Sequence, residues 1–582
     1  MPSQQSAEPD APLWTRRDWL QATAFYGTAG VLLGTRHPGQ PQRSAHPTLM
    51  RLGTPAHFAP EQLELWAQQA VEVARAAGAQ YAEARLTRTM QQAISADSIR
   101  DEVELVGAGV RALVGGAWGF AACPMWASAS TDTLAWLARE AVAQAKVSAP
   151  TLPRVIEMGI VPAATGIWAT PIQIDPFTIP LEERMEACAY WGEYPARFDL
   201  EGSANVFSVR QERVLATSDG THVRQTCYQT GGQIFVSKRQ GGSMSVRGLE
   251  LSGAGWELFQ EAKILEQIAA MPDQLPAVEA ESQEREKNLA PLNIGRYTLV
   301  CDGRTMASIL ESTLGVATQL DRALGYEADA SGTSYLNDPL AMLGHYQVAS
   351  PLVTVTTNRS APRQLATVQW DEEGVVPTDV TLIKDGVLVD YQTTRESAAW
   401  LAPYYQKTGK PVRSQGCAAA QDATYLPIQH MPNLALAPNP AAVPLADLVA
   451  DVKGNGLLIQ EGFAEVDSRG QTVRLSGLMR EIRNGKLGGY VRGGTVLCNA
   501  LQFWRQVVAL GGAPTAVTLH RSASAYPFPI NYLGLLTGGL ADVAALASRY
   551  KGQPVQSSLG RSVSAVAATI TSQLLMDATR RI

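Results

Sequence analysis

The chain has 582 residues, 46% hydrophobic and 18% charged, a globular composition with length for two or more sizeable cores. A formal net charge of −6, with no basic run beyond short pairs, excludes a nucleic-acid binder, which needs Lys and Arg to replace counterions along phosphates. Six scattered cysteines, with no close pair, give neither a disulfide framework nor a zinc ribbon, and the spacing favours buried free thiols over disulfides.

The N-terminus carries Thr15-Arg16-Arg17-Asp18-Trp19-Leu20, a twin-arginine export pattern in which Arg16 and Arg17 would be read by the translocase. The weakly apolar run Leu20–Leu33 that follows is too short and too polar for a membrane span. Residues 1–50 are therefore expected to be signal and linker, and the protein periplasmic.

From Ala59 to Gly78 the apolar spacing predicts a helix, entered at Pro60 and stopped at Gly78. Segments Tyr81–Arg88, Gln91–Ile94, Glu102–Val114 and Ala117–Ala122 alternate as strands broken by glycines, and Ser130–Ser148 is a second helix. Gly107-Ala108-Gly109 lacks the third glycine of a dinucleotide loop and opens a strand, so that reading is rejected. A helix from Leu181 to about Gly192 and strands on either side of Asp219-Gly220, a hairpin signal, complete an α+β first domain over 51–290. The charged run 277–288 marks its end.

A second domain, 291–530, opens with the strand Tyr297–Cys301 and a turn at Asp302-Gly303. One long helix then buries Met306, Ile309, Leu310, Thr313, Ala317, Leu320 and Leu324 on a single stripe. Strands are expected at Leu352–Thr356, Gln364–Val368, Thr381–Ile383, Gly456–Asp467 and Val473–Arg483, with a helix at Pro444–Val452. Periodicity in Leu533–Tyr550 and Arg561–Arg580 reads as a helical C-terminal extension over 531–582.

Three stretches in this order resemble the TldD/PmbA family of metallopeptidases: YAEARLTRT with GAGVRALVGGAWGFAAC (Gly107–Cys123), the helix after Cys301, and WDEEGVVPTDVTLIKDGVLVDYQTTRESAAWL (Trp370–Leu401). The resemblance spans about residues 60–510. It implies an α+β architecture of two domains: an N-terminal α/β-meander layer and a C-terminal antiparallel sheet with a buried central helix. In catalytic members that helix carries HExxxH. Leu310, Gly315, Asp321 and Gly332-Thr333-Ser334 keep the framework, but Glu311 stands at the first histidine, Ser312 at the glutamate and Val316 at the second histidine. The family's late cysteine ligand has no counterpart, since no cysteine follows Cys498, and His520 is the nearest residue there able to bind metal.

The motif is thus degenerate. The resemblance implies no metal and no catalytic residue in this chain, with zinc supplied by a motif-bearing TldD-type paralogue in a heterodimer around a peptide chamber (a homodimer is the alternative). Arg413, His430 and His520 are candidates for the peptide cleft. Two other readings stay open: a stand-alone peptide- or ligand-binding protein, and an active hydrolase whose metal site is rebuilt from Glu311, His345 or His430, and His520. No Walker A loop, G-x-S-x-G or CxxC offers another chemistry, and Ser312 has no local histidine to make it a nucleophile. A serine bonded back to a helix carbonyl is the expectation there.

Overall fold

The computed structural model describes residues 58–577 apart from 96–97, 126–128, 153–154, 241–242, 272–294, 329–331, 492–493 and 525–555. Arg16, Arg17, the charged run 277–288 and Leu533–Tyr550 lie outside the described residues. Among the described residues no helix is long and apolar enough to cross a membrane.

The first half is built on long antiparallel strands. Helix α1 (Pro60–Ala76) leads into β1 (Tyr81–Ser95), β2 (Ser98–Val114) and β3 (Ala117–Pro124), and α2 (Thr131–Ser148) follows. The two short strands expected at Tyr81–Arg88 and Gln91–Ile94 are one, paired along its whole length with β2. Helix α2 starts where the sequence places its cap, with Ser130 and Thr133 forming a reciprocal capping box. After β4 (Thr165–Ala169) and α3 (Leu181–Glu193) come β5 (Glu201–Thr217), β6 (His222–Gln240) and β7 (Ser243–Gly253). The sheet runs β3-β2-β1-β5-β6-β4, with β7 also on β6. Leu63, Trp66, Leu134 and Leu137 of α1 and α2 bury one apolar face against it. Gly119 is required by this packing: a Cβ there would stand 1.9 Å from the Ala141 carbonyl of α2.

The second half has two larger sheets. One runs Val387–Leu388, Val380–Lys384, Val355–Asn358, Asn433–Leu436, Gln556–Ala565, Val517–Ser524. In the other, Asn455–Val466, β8 (Gly295–Cys301), Ala568–Asp577, Gly494–Asn499 and Thr472–Arg483 pair in turn. The last also pairs with the first, which closes a ring. Both sheets are largely antiparallel, with parallel contacts at β8 and at Asn433–Leu436. Gln364–Val368 is a turn, not the expected strand.

Two expectations are corrected. The described part of the C-terminal extension is not helical: Gln556–Ala565 and Ala568–Asp577 are strands that complete the two sheets, so the second half runs past residue 530. Its alanines and leucines suggest a helix, but Val563, Ala565 and Ile570 are fully buried, and the β-branched residues favour extended backbone. The long helix is also interrupted. Gly303–Leu310 (α4, capped by Asp302) is α-helical, Glu311–Gly315 forms a π-helical turn, and the chain leaves the helix at Gln319. There Gln392 intrudes. Its side-chain amide donates to the Gly315 carbonyl at 2.7 Å and to Thr318 Oγ1 at 2.9 Å, while its backbone bridges Gln319. A last turn, Leu320–Ala323, resumes the stripe.

The described residues nonetheless form one compact unit, and the stripe lies in its core: Met306, Ile309, Leu310 and Leu320 are fully buried. Ile309→Ala and Leu320→Ala should each cost about 2–5 kcal/mol, as buried large-to-small changes do. Urea denaturation measures this, and losses under about 1 kcal/mol at both positions would contradict the packing described.

Candidate functional site

The position of greatest interest is the π-helical turn, because such insertions recur at functional sites. Its first residue, Glu311, is buried, and its carboxylate is taken up by arginines from the late strands. Arg561 Nε donates to Oε1 at 2.6 Å, and Arg521 Nε lies 3.5 Å from Oε2. Arg521 and Arg561 face each other across paired strands. Ser312 does not bond back along its own helix; its Oγ donates to the Ala464 carbonyl at 3.2 Å, on the neighbouring strand. The back-bonded residue is Thr313, whose Oγ1 donates to the Ile309 carbonyl and accepts from Trp504 Nε1 at 2.8 Å. Val316 packs against the core with an apolar side chain.

His520 and His430 approach the same strands. His520 Nδ1 lies 2.9 Å from Ser562 Oγ, and burial lowers its pKa. His430 is held neutral, its pKa pushed down to about 3 by burial and by the charges of Arg561, Arg359 and Arg213. Arg561 thus pairs with Glu311, and its charge disfavours protonation of His430. Arg413 is exposed, and His345 Nδ1 lies 3.2 Å from the carbonyl of Leu343 two residues before it.

Zinc requires three or four His, Cys or carboxylate ligands with free lone pairs. Glu311 is occupied by guanidinium groups, Ser312 is tied to a carbonyl and Val316 has no donor atom. Among the described residues no three His, Cys, Asp or Glu side chains are gathered where they could hold a metal. The residues at the motif positions do not fit the zinc of the family's catalytic members. All six cysteines are free thiols, and burial pushes the pKa of Cys417 up to about 12.

A second cluster carries the residues that sequence reasoning passed over. The motif stretches YAEARL, GVRAL and DEEG meet in one buried ionic network. Arg111 of β2 lies 2.9 Å from Glu83 of β1, and its Nη2 donates to Glu373 Oε1 at 2.9 Å. Glu372 binds Arg85 of β1 at 3.2 Å and Arg213 of β5 at 3.1 Å. Arg395 donates its backbone N–H to Glu373 and its guanidinium to Tyr81 and Asp219. The signal was there: charged residues alternating with small apolar ones in otherwise buried strands. Their partners, nearly three hundred residues away in the chain, could not be read.

Beside this network Asp321 lies among carboxylates. Burial and then the charges of Glu396, Glu327 and Glu373 raise its pKa from 3.8 to about 7, against a hydrogen bond from Ser397. Because the folded value lies above the unfolded one, its favourable contribution is complete below about pH 4. It is lost as pH rises through about 7. Asp321→Asn should therefore be more stable than the parent at pH 8, with the gap closing toward pH 4. Thermal melts at both pH values check this, and equal stability at pH 8 would refute the buried-charge account.

The geometry can be compared with known proteins. The family model described as PmbA/TldA metallopeptidase C-terminal domain matches residues 294–527, and PmbA/TldA metallopeptidase domain 1 matches residues 97–145. No curated protein matches the chain. Among solved structures, TldE from Thermococcus kodakarensis is similar with a TM-score of 0.58 at 12% identity, covering 88% of this chain and 99% of that one. A proposed modulator of DNA gyrase from Bacteroides thetaiotaomicron also gives 0.58, at 15% identity, covering 89% and 99%. With both family domains matched in order and the fold shared over nearly the whole length, this chain belongs to the TldD/PmbA family.

Proposed function

We propose that this peptidase-like chain is the non-catalytic subunit of a heteromeric TldD/PmbA peptidase, exported by the twin-arginine pathway. In that assembly it supplies wall and peptide groove while a motif-bearing paralogue supplies zinc. The observation that carries the reading is the state of Glu311. Hydrolysis on zinc needs an open metal position and a carboxylate free to take a proton from bound water. Here the one carboxylate at the motif positions is neutralised by Arg561 and Arg521, and the neighbouring positions are a serine spent on the Ala464 carbonyl and a valine.

The isolated protein should purify with well under one equivalent of zinc and cleave no peptide. Restoring Glu311→His, Ser312→Glu and Val316→His together should recover little activity, because the remaining ligand and its supporting shell are missing too. Affinity purification from the native host with mass spectrometry should recover a paralogue bearing HExxxH. Stoichiometric zinc with chelator-sensitive cleavage, abolished by His520→Ala, would overturn the non-catalytic assignment.

Export has its own test. Replacing Arg16 and Arg17 by Lys should leave the precursor in the cytoplasm, as seen by fractionation. Unaltered export of the double variant would remove the twin-arginine route from the proposal.

A further inference from the structure

A cavity of about 30 Å³ lies where β5 and β6 of the first half face the strands around Val355–Asn358 and Gln556–Ala565. Its charged lining is of one sign: Arg213, Arg359 and Arg363, with no Asp or Glu side chain among the residues that form it. In a chain of net charge −6 this is a local cluster of cations, of which Arg213 is paired with Glu372 and Arg363 with Glu261 at 2.7 Å.

The inner arginines are fixed in place. Arg359, buried, donates through Nε to the Ala366 carbonyl at 3.0 Å and through Nη1 to the carbonyls of Gly416 and Ala418. Arg213 uses Nε on Gln211 at 2.6 Å and Nη1 on Glu372 at 3.1 Å. The described contacts of both run through Nε and Nη1. His430 also lines the cavity, and its buried Nε2 has no hydrogen-bond partner among the described residues. A buried imidazole nitrogen without a partner thus sits in one cavity with the two fixed guanidinium groups and with Gln364 Oε1, which also has no partner among the described residues, and buried polar groups are ordinarily satisfied.

We propose that this cavity binds the carboxylate of a peptide, with Arg213 and Arg359 as the cationic floor and His430 Nε2 as a neutral donor. A planar oxyanion matches the fork geometry of guanidinium groups, which is why arginine predominates at carboxylate sites. The space exceeds the roughly 10–15 Å³ that one water needs, so it takes a small head group and not a whole side chain. Pro171 and Arg363 are exposed at its edge, and the peptide chain leaves past them. This site is distinct from the π-helical turn and does not require the subunit role argued above.

The test uses the full-length protein and isothermal titration with acetyl-tetra-alanine as the free acid and as the C-terminal amide. Acetate and inorganic phosphate serve as separate probes. The free acid is expected to bind saturably and the amide at least about tenfold more weakly, the scale of losing a charge-assisted hydrogen bond. His430→Leu and Arg363→Ala should each weaken the acid several-fold. Arg213→Met should abolish binding, and if that variant does not fold, the other two and the acid–amide comparison still decide. Equal affinity for acid and amide, no saturable binding of either, or unchanged affinity in His430→Leu would overturn the site. Acetate or phosphate binding as tightly as the peptide acid would overturn its assignment to peptides.

Discussion

Glu373 accepts a guanidinium hydrogen bond from Arg111 through one oxygen and the Arg395 backbone N–H through the other. Around it, Glu83, Arg85, Arg213 and Glu372 are all buried, and the network joins the first sheet to the loop that follows Trp370. Ion pairs of this kind add little net stability over an apolar contact of the same shape, because desolvating the charges consumes most of their attraction. Mismatching them is far more costly, since it strands a charge without water or counter-charge. The network therefore dictates how the two halves meet more than how tightly. Asp371 reinforces it by accepting backbone N–H groups from Glu373 and Val375 at 2.9 and 2.8 Å, which fixes the turn that presents both glutamates.

A different balance of charge holds at the degenerate motif. A divalent cation among ligands would give the core a local positive charge, and here Arg561 and Arg521 bring positive charge to Glu311 from the late strands. A guanidinium differs from zinc in what it can do. It satisfies a carboxylate and fixes its orientation, but it offers no vacant coordination site and cannot acidify a water. The substitution keeps the electrostatic balance of the helix while removing its reactivity, and the same arginine helps to hold His430 uncharged.

The fold was legible where local chemistry decides it. Pro60, the Ser130 cap, the hairpin at Asp219-Gly220 and the alternation in β1 to β3 all stand where periodicity and turn residues put them. The failures share a cause. The long helix reads as continuous because its stripe is unbroken, yet Gln392 enters from far along the chain and ends it at Gln319. The last strands read as helical because their alanines and leucines carry no strong local signal, while their burial between Asn433–Leu436 and β8 is tertiary. The site suffered most. Glu311, Ser312 and Val316 could be picked out by resemblance, but the partner that defines Glu311, Arg561, sat in a segment read as an extension.

The closing of the ring by Ala568–Asp577 has a temporal side. Leu299 pairs with Ile570, and Leu434 with Val563, so strands made midway through synthesis lack one of their two neighbours until the late strands have been made. Such non-local pairing is slow to form and leaves strand edges uncovered while it waits. The first half, whose strands pair in near-sequential order, can assemble early during elongation. The second half cannot complete its sheets until residues 556–577 have been made. A nascent chain of this topology leaves one edge of β8 and one edge of Asn433–Leu436 unpaired during that interval, and a truncation before residue 556 would remove a strand from each sheet at once.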